Sequence, residues 1–285
     1  MRLNGLLSGG SGADPGVAEA LADLLNAGLI PAIPSIGSIG AGDLCVLAHL
    51  GLAMIGEGAF LVGGQRVPAA EALAAAGLAP LAPGPKDGLA ICNATAFASA
   101  RAALVLVDAT RLLESAQVAA AMSLEGFRAN LSPLDPRVAA ARPAPGQVQA
   151  AEGLRRLLEG GALSEPGAAR RLQDPISLRC VAQVHGSLIA ALDFARPAVA
   201  AEINGAGDNP LVLADDDEIL SSGNFHTPAL AIALETLGQA LAQTAALSVA
   251  RSVRLLVERH SGLPANLTRH GPTQSGFAPL TASRR

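Results

Sequence analysis

The stretch Gly37-Ser38-Ile39-Gly40-Ala41-Gly42-Asp43-Leu44-Cys45-Val46-Leu47-Ala48-His49-Leu50-Gly51-Leu52-Ala53-Met54-Ile55-Gly56-Glu57-Gly58 joins a glycine-rich turn to an apolar run. Gly37, Gly40 and Gly42 crowd the turn, a spacing that permits positive φ and close backbone approach. Asp43 suits the N-cap of a following helix, with Leu44, Leu47, Ala48 and Leu52 as its apolar stripe. A tight loop feeding a helix N-terminus presents unpaired amides to an anion. The same glycines also suit a buried turn between helices.

Composition points the same way. A chain of 285 residues can bury a large core, as one long domain or two. Half of it is apolar, only 2% is aromatic, and Trp and Tyr are absent, so the core must be built from Ala, Leu and Val. That favours close-packed helices. The net charge is -4, and the cations stand singly or in pairs such as Arg155-Arg156 and Arg170-Arg171. No basic stripe for a phosphate backbone results, and nucleic acid is not an expected partner.

Cys45, Cys92 and Cys180 lie far apart without a CxxC pair, so neither a disulfide framework nor a zinc site is expected, and a reducing cytoplasm fits. His49, Glu57, His185, Asp193 and Glu235 interrupt the best apolar runs, and Met1 to Leu7 is short for a signal peptide. The expectation is a soluble chain with no membrane partner.

Outward from the loop, Val17, Leu21, Leu24 and Leu25 predict a helix from about Pro15 to Ala27, with Gly28 as its stop. Gly63 to Pro68 reads as a tight turn or small hairpin, and Ala69 to Ala76 as a short helix. Ala94 to Phe127 predicts a main helix with Leu104, Val107, Leu112 and Met122 along it, broken by Pro133 to Gly146. Gln147 to Leu158, Ile176 to Phe194 and Pro228 to Arg259 predict further helices, the last about 48 Å long at 1.5 Å per residue. The fold class is all-α: an elongated bundle of long helices with an N-terminal loop-rich active-site region, read as a single domain over 1–285. Ala240, Ala245, Ala246 and Ala250 form a small-residue seam, and apolar surface along such helices points to a homo-oligomer.

Several segments carry the polar residues that chemistry needs. In Lys86-Asp87-Gly88-Leu89-Ala90-Ile91-Cys92-Asn93-Ala94-Thr95, Asn93 can offer two donors and an acceptor to a bound carboxylate or amine, or serve as an N-cap. Gln173-Asp174-Pro175-Ile176-Ser177-Leu178-Arg179-Cys180 is followed by Gln183-Val184-His185-Gly186. With Asp174 as N-cap and Pro175 at the first helical position, Arg179 presents a planar fork to a carboxylate, reinforced by the positive end of its helix. Its alternative is an intrahelical pair with Asp174. Glu202-Ile203-Asn204-Gly205-Ala206-Gly207-Asp208-Asn209-Pro210 and Ser222-Gly223-Asn224-Phe225-His226 complete the set. The run Asp215-Asp216-Asp217-Glu218 has no ligand spacing and reads as a solvated turn, so no metal is expected. His49 reads as a satisfied core histidine.

In order, these motifs resemble the aromatic amino acid lyase family of histidine and phenylalanine ammonia-lyases, from about Leu3 to Thr281. The family's loop is G-S-[VI]-G-A-S-G-D-L, its later signatures K-E-G-L-A-L-x-N-G-T, Q-D-x-Y-S-x-R-x-x-x-Q-V-x-G, E-x-N-S-A-T-D-N-P and G-G-N-F-H-G. The resemblance implies a carbon-nitrogen lyase that eliminates ammonia or another amine from an amino acid to give an unsaturated acid. Ala41 and Gly42 then occupy the reactive loop, Arg179 anchors the carboxylate, and Gln173, Asn93, Asn224 and Phe225 shape the site. A small amino acid substrate and a cytoplasmic homotetramer are implied as well.

This chain departs from the pattern in ways that matter. The family cyclises Ala-Ser-Gly into methylidene-imidazolone, and here Ala41 is followed directly by Gly42. No prosthetic group is therefore expected. Ile176 replaces a family tyrosine, Thr227 replaces a glycine, and the tyrosine that acts as base belongs to a segment upstream of Met1 in relatives. Full-length relatives extend beyond both ends, so the chain corresponds to their central portion. The alternatives are a lyase without the prosthetic group that releases trimethylamine from a betaine, and a non-catalytic paralogue or partner subunit.

Overall fold

A computed structural model describes residues 1–270 and 273–279. Thr281, where the resemblance ends, lies outside the described residues. The structure is 59% helical. In chain order its elements are α1 (Arg2–Leu7), α2 (Pro15–Asn26), β1 (Ile30–Pro31), α3 (Leu44–Met54), β2 (Ala59–Val62), β3 (Gln65–Pro68), α4 (Ala69–Ala75), α5 (Asp87–Cys92) and α6 (Ala96–Phe127). These are followed by α7 (Pro136–Ala141), α8 (Gln147–Leu158), α9 (Ile176–Arg179), α10 (Val181–Asn204), β4 (Leu211–Leu213), β5 (Glu218–Leu220), α11 (Pro228–Leu255) and α12 (Glu258–Ser261). Two compact units result: Met1–Val105 with Arg196–Ile232, and Leu106–Ala195 with Ala233–Arg285.

In the first unit, Asp14 caps α2 by accepting from the Gly16 amide at 2.8 Å. Gly28, at φ +67°, ends it, and the Leu29 amide reaches back to the Leu24 carbonyl at 2.9 Å. Val17, Leu21 and Leu24 pack inward against Val46, Leu47 and Leu50 of α3, Phe60 of β2 and Leu73 of α4. Leu25, expected on that stripe, is exposed. On α3, Leu44 and Leu52 also face outward, while Val46, Leu50, Ala53 and Met54 are buried. An almost wholly apolar run has no polar face to fix its rotation, so tertiary packing chooses the buried side. His49 is correspondingly half-buried rather than a core histidine.

The expected hairpin is β2–β3, antiparallel with Val62 opposite Gln65, and Gly63 and Gly64 both take positive φ in its turn. Helix α1 was not legible as a helix. It is anchored by Arg2, whose Nε donates to the Ala90 carbonyl and whose Nη2 donates to Asp208 Oδ1, both at 2.6 Å. The acidic run at Asp215 forms the exposed turn of hairpin β4–β5.

In the second unit, Leu124 and Phe127 of α6 pack with Leu154 and Leu158 of α8, and Leu178 and Val181 join them. A second cluster joins Ala109 to Leu188, Leu192 and Leu237. Along α6 the buried residues are largely small, Ala102, Ala109, Ala120 and Ala121, whereas Leu104, Val107, Leu112 and Met122 are exposed. Alanine faces permit close helix approach, which leaves the larger side chains outside in the single chain.

Two predicted helices are each divided. Cys180, at φ -104° and ψ 21°, separates α9 from α10. Helix α11 stops at Leu255 because Val257 turns extended and the Leu256 carbonyl is captured by the Asn266 amide at 2.9 Å. The runs Asp87–Phe127 and Pro228–Leu255 are long and apolar enough to cross a membrane by length and composition, contrary to the expectation that charges interrupt every such run. Part of each run is buried in the helix cores above.

Candidate active site

Glycine turn, asparagine and aromatic motif meet in the first unit as a backbone ladder. Ala41 pairs antiparallel with His226, and the Gly42 amide donates to the Phe225 carbonyl at 2.7 Å. One residue on, the Asp43 amide donates to the Ala94 carbonyl at 2.6 Å. Asp43 is buried and does not cap its own helix α3; its Oδ2 instead accepts from the Ala98 amide at 2.8 Å, capping the first turn of α6. This carboxylate thereby ties the loop to the helix that follows Asn93.

Asn93 is buried, with Nδ2 donating to the Asn209 carbonyl at 3.0 Å. Its Oδ1 closes over the loop: a Cβ built on Gly42, which has φ +58°, would stand 2.8 Å from it. Asn209 in turn accepts from the Ser222 amide at 2.8 Å, and the Ser222 hydroxyl donates to the Asp208 carbonyl at 3.0 Å. Asn224 and Phe225 follow directly, Asn224 exposed and Phe225 half-buried. Ala41, Gly42, Asn93, Asn224 and Phe225 are thus one constellation.

Glu202 adds a carboxyl group to which its motif alone assigns no role. Burial raises its carboxyl pKa, opposed by a hydrogen bond from the Thr95 hydroxyl at 2.8 Å, with the Asp43 charge raising it further. Glu202, Thr95 and Ala94 line a cavity of about 20 Å³ with Arg2 and Gly207. The signal was its place at the head of the Glu202 to Pro210 motif.

Gln173 and Arg179 belong to the second unit. Gln173 is exposed and Arg179 half-buried. The expected capping by Asp174 does not occur: Pro175 holds the N-cap position, and Asp174 Oδ2 accepts from the Asn130 amide at 2.6 Å. Arg179 lies in the last turn of a four-residue helix, so the positive end of the helix does not reinforce it. Nor does it pair with Asp174; among the described residues it has no acidic partner within ion-pair distance. Its charge is available to a ligand carboxylate.

The family's prosthetic group does not fit these residues. Its methylidene carbon comes from a serine side chain between alanine and glycine, and Ala41 is bonded directly to Gly42. A side chain at Gly42 would collide with Asn93. The amides of Gly42 and Asp43 are both spent on carbonyls outside the loop.

Comparison with known proteins agrees with the motif order. The family model described as aromatic amino acid lyase matches residues 1–283. Histidine ammonia-lyase from Symbiobacterium thermophilum is 44% identical over 97% of this chain and 55% of that protein, and the Treponema denticola enzyme is 43% identical over the same shares. Among solved structures, ergothionase from Treponema denticola, described as an ergothioneine degrading enzyme, superposes with a TM-score of 0.93 at 35% identity, covering 99% of this chain and 57% of that one. Histidine ammonia-lyase from Trypanosoma cruzi gives 0.91 at 35% identity, covering 99% and 53%. The fold is the helical one that these solved structures share. The chain belongs to the aromatic amino acid lyase family, and it spans about half the length of the curated relatives it matches.

Proposed function

We propose that this chain forms the central part of a carbon-nitrogen lyase that eliminates ammonia or another amine from an amino acid to give an unsaturated acid. The observation that carries the reading is the joining of Ala41, Gly42, Asn93 and Phe225 in one hydrogen-bonded constellation, in a chain matched by the family over nearly its whole length. Arg179, free of any acidic partner among the described residues, anchors the substrate carboxylate through a bidentate contact. Asn93, Asn224, Phe225 and Gln173 shape the site. The chain contains no tyrosine, so the base that removes the β-proton comes from residues outside it.

The missing loop serine favours a second reading within the same chemistry, in which no methylidene-imidazolone is used. A quaternary amine is already a competent leaving group, so a betaine releases trimethylamine without an electrophile. The third reading is a non-catalytic paralogue or a subunit that lends one wall to a shared site. We further propose one family domain over 1–285 and a soluble, cytoplasmic homo-oligomer, a tetramer by likeness to the family. The exposed Leu104, Val107, Leu112 and Met122 of α6 support association.

The test is to assay the purified chain, and its complexes from the native source, for unsaturated acid from histidine and from its trimethylated betaine. Product from the betaine alone supports elimination without the prosthetic group. Product from histidine supports ammonia release and overturns the betaine reading. Absence of product in every preparation overturns the lyase reading in favour of the non-catalytic one.

A further inference from the structure

We propose that Thr227 is a positioning residue that locks the shortened loop into a closed backbone clasp in which ring closure does not take place. The Gly40 carbonyl is the centre of the clasp. It accepts from the Thr227 amide at 3.1 Å and from the Thr227 hydroxyl at 3.2 Å, and it lies 3.1 Å from His226 Nδ1, which donates in the Nδ1-protonated tautomer. Thr227 is only 4% exposed, so water does not compete for its hydroxyl. Two residues on, the Gly42 amide is held by Phe225. Carbonyl and amide across Ala41 are therefore both engaged by the 225–227 segment.

Ring closure in a peptide of this kind joins an amide nitrogen to the carbonyl carbon two residues earlier and expels one water; loss of a serine hydroxyl then expels a second. Both possible nitrogens, those of Gly42 and Asp43, donate to fixed carbonyls, with Asp43 anchored to Ala94. Moving either one breaks a short hydrogen bond inside a packed unit. Thr227 is the side chain that adds a contact a glycine at that position lacks. The inference depends on the loop geometry alone and stands or falls separately from the choice of substrate.

Two experiments test it. The first follows amide hydrogen exchange by mass spectrometry in peptides covering 37–44 and, as a control, α8, for the wild type, Thr227→Ser and Thr227→Val. The expected result is wild-type protection in Thr227→Ser and about fivefold faster exchange confined to 37–44 in Thr227→Val, the size of one neutral hydrogen bond. Equal protection in all three proteins, or faster exchange in α8 as well, would overturn the positioning role. The second inserts a serine between Ala41 and Gly42 and reads the intact mass. A mass equal to the full sequence is expected while Thr227 is present, and a deficit of two waters would overturn the closed clasp.

Discussion

The amide of Gly42 and the carbonyl of Phe225, 183 residues apart in sequence, are joined at 2.7 Å and fix the glycine-rich loop against the aromatic motif. Gly42 reaches this bond at φ +58°, with Asn93 Oδ1 directly over its α-carbon. Gly42→Ala is expected to cost about 2 kcal/mol, from a left-handed alanine and displacement of the Asn93 amide. Denaturant unfolding at constant m-value measures it, and an unchanged midpoint would show that the loop relaxes freely.

A buried ion pair makes the second case. Arg2 and Asp208 meet at 2.6 Å, both almost fully buried, and tie α1 to the loop before β4. Arg2→Ala leaves Asp208 as an uncompensated buried charge, with an expected loss of about 3 kcal/mol. Urea titration reads this directly; the Arg2→Ala, Asp208→Ala double variant should recover part of the loss.

Much of this architecture was legible in the sequence, and the failures share a physical origin. Helices α2, α4 and α8 carry caps, stops or sharp polar contrast, and their bounds matched within a residue or two. Helix α3 is apolar nearly all round and α6 buries mainly alanines while larger residues face outward, so periodicity gave each helix but not its buried face. Neither break, at Cys180 or at Val257, has a Gly or Pro to announce it, and the one at Val257 goes with a backbone bond from Asn266 to Leu256 that no local pattern reveals. In the candidate site, the motifs picked out residues that the fold brings together around Gly42, namely Ala41, Asn93 and Phe225. The partners of Asp43 and Thr227 are long-range backbone groups, which no local pattern reveals.

His185 gives a pH dependence. It is wholly buried, neither ring nitrogen has a partner among the described residues, and burial, with the Arg251 charge beside it, lowers its pKa from 6.5 to about 4. The unfolded chain binds the proton more readily, so this contribution is present above pH 6.5 and lost as pH falls toward 4. The expected loss is about 3 kcal/mol at the acid end. Comparing unfolding midpoints of the wild type and His185→Leu from pH 7 to 4 checks it: the variant should show the shallower decline.

Arg251 is the complementary case. It is 2% exposed, its Nε and Nη1 lack partners among the described residues, and burial lowers its pKa to about 10. An unpaired buried charge costs stability that an aliphatic chain does not. Arg251→Met is expected to leave the isolated chain as stable or about 1 kcal/mol more stable. A large loss in thermal unfolding would reveal a partner that the charge requires.

For binding, Arg179→Ala should weaken any carboxylate ligand about tenfold to a hundredfold, the worth of a charge-assisted contact. Arg179→Lys should recover only part of that, because an ammonium lacks the planar fork. Isothermal titration calorimetry with an amino acid or betaine ligand measures both. Unchanged affinity in Arg179→Ala would remove this residue from the site.

The most direct test of the central claim, a family lyase site whose loop forms no prosthetic group, is the intact mass of the purified wild-type chain. The expected mass is that of the unmodified 285-residue sequence, with no dehydration. A mass lower by one water, the loss that ring closure alone brings, localised to the peptide containing Ala41 and Gly42, would contradict it.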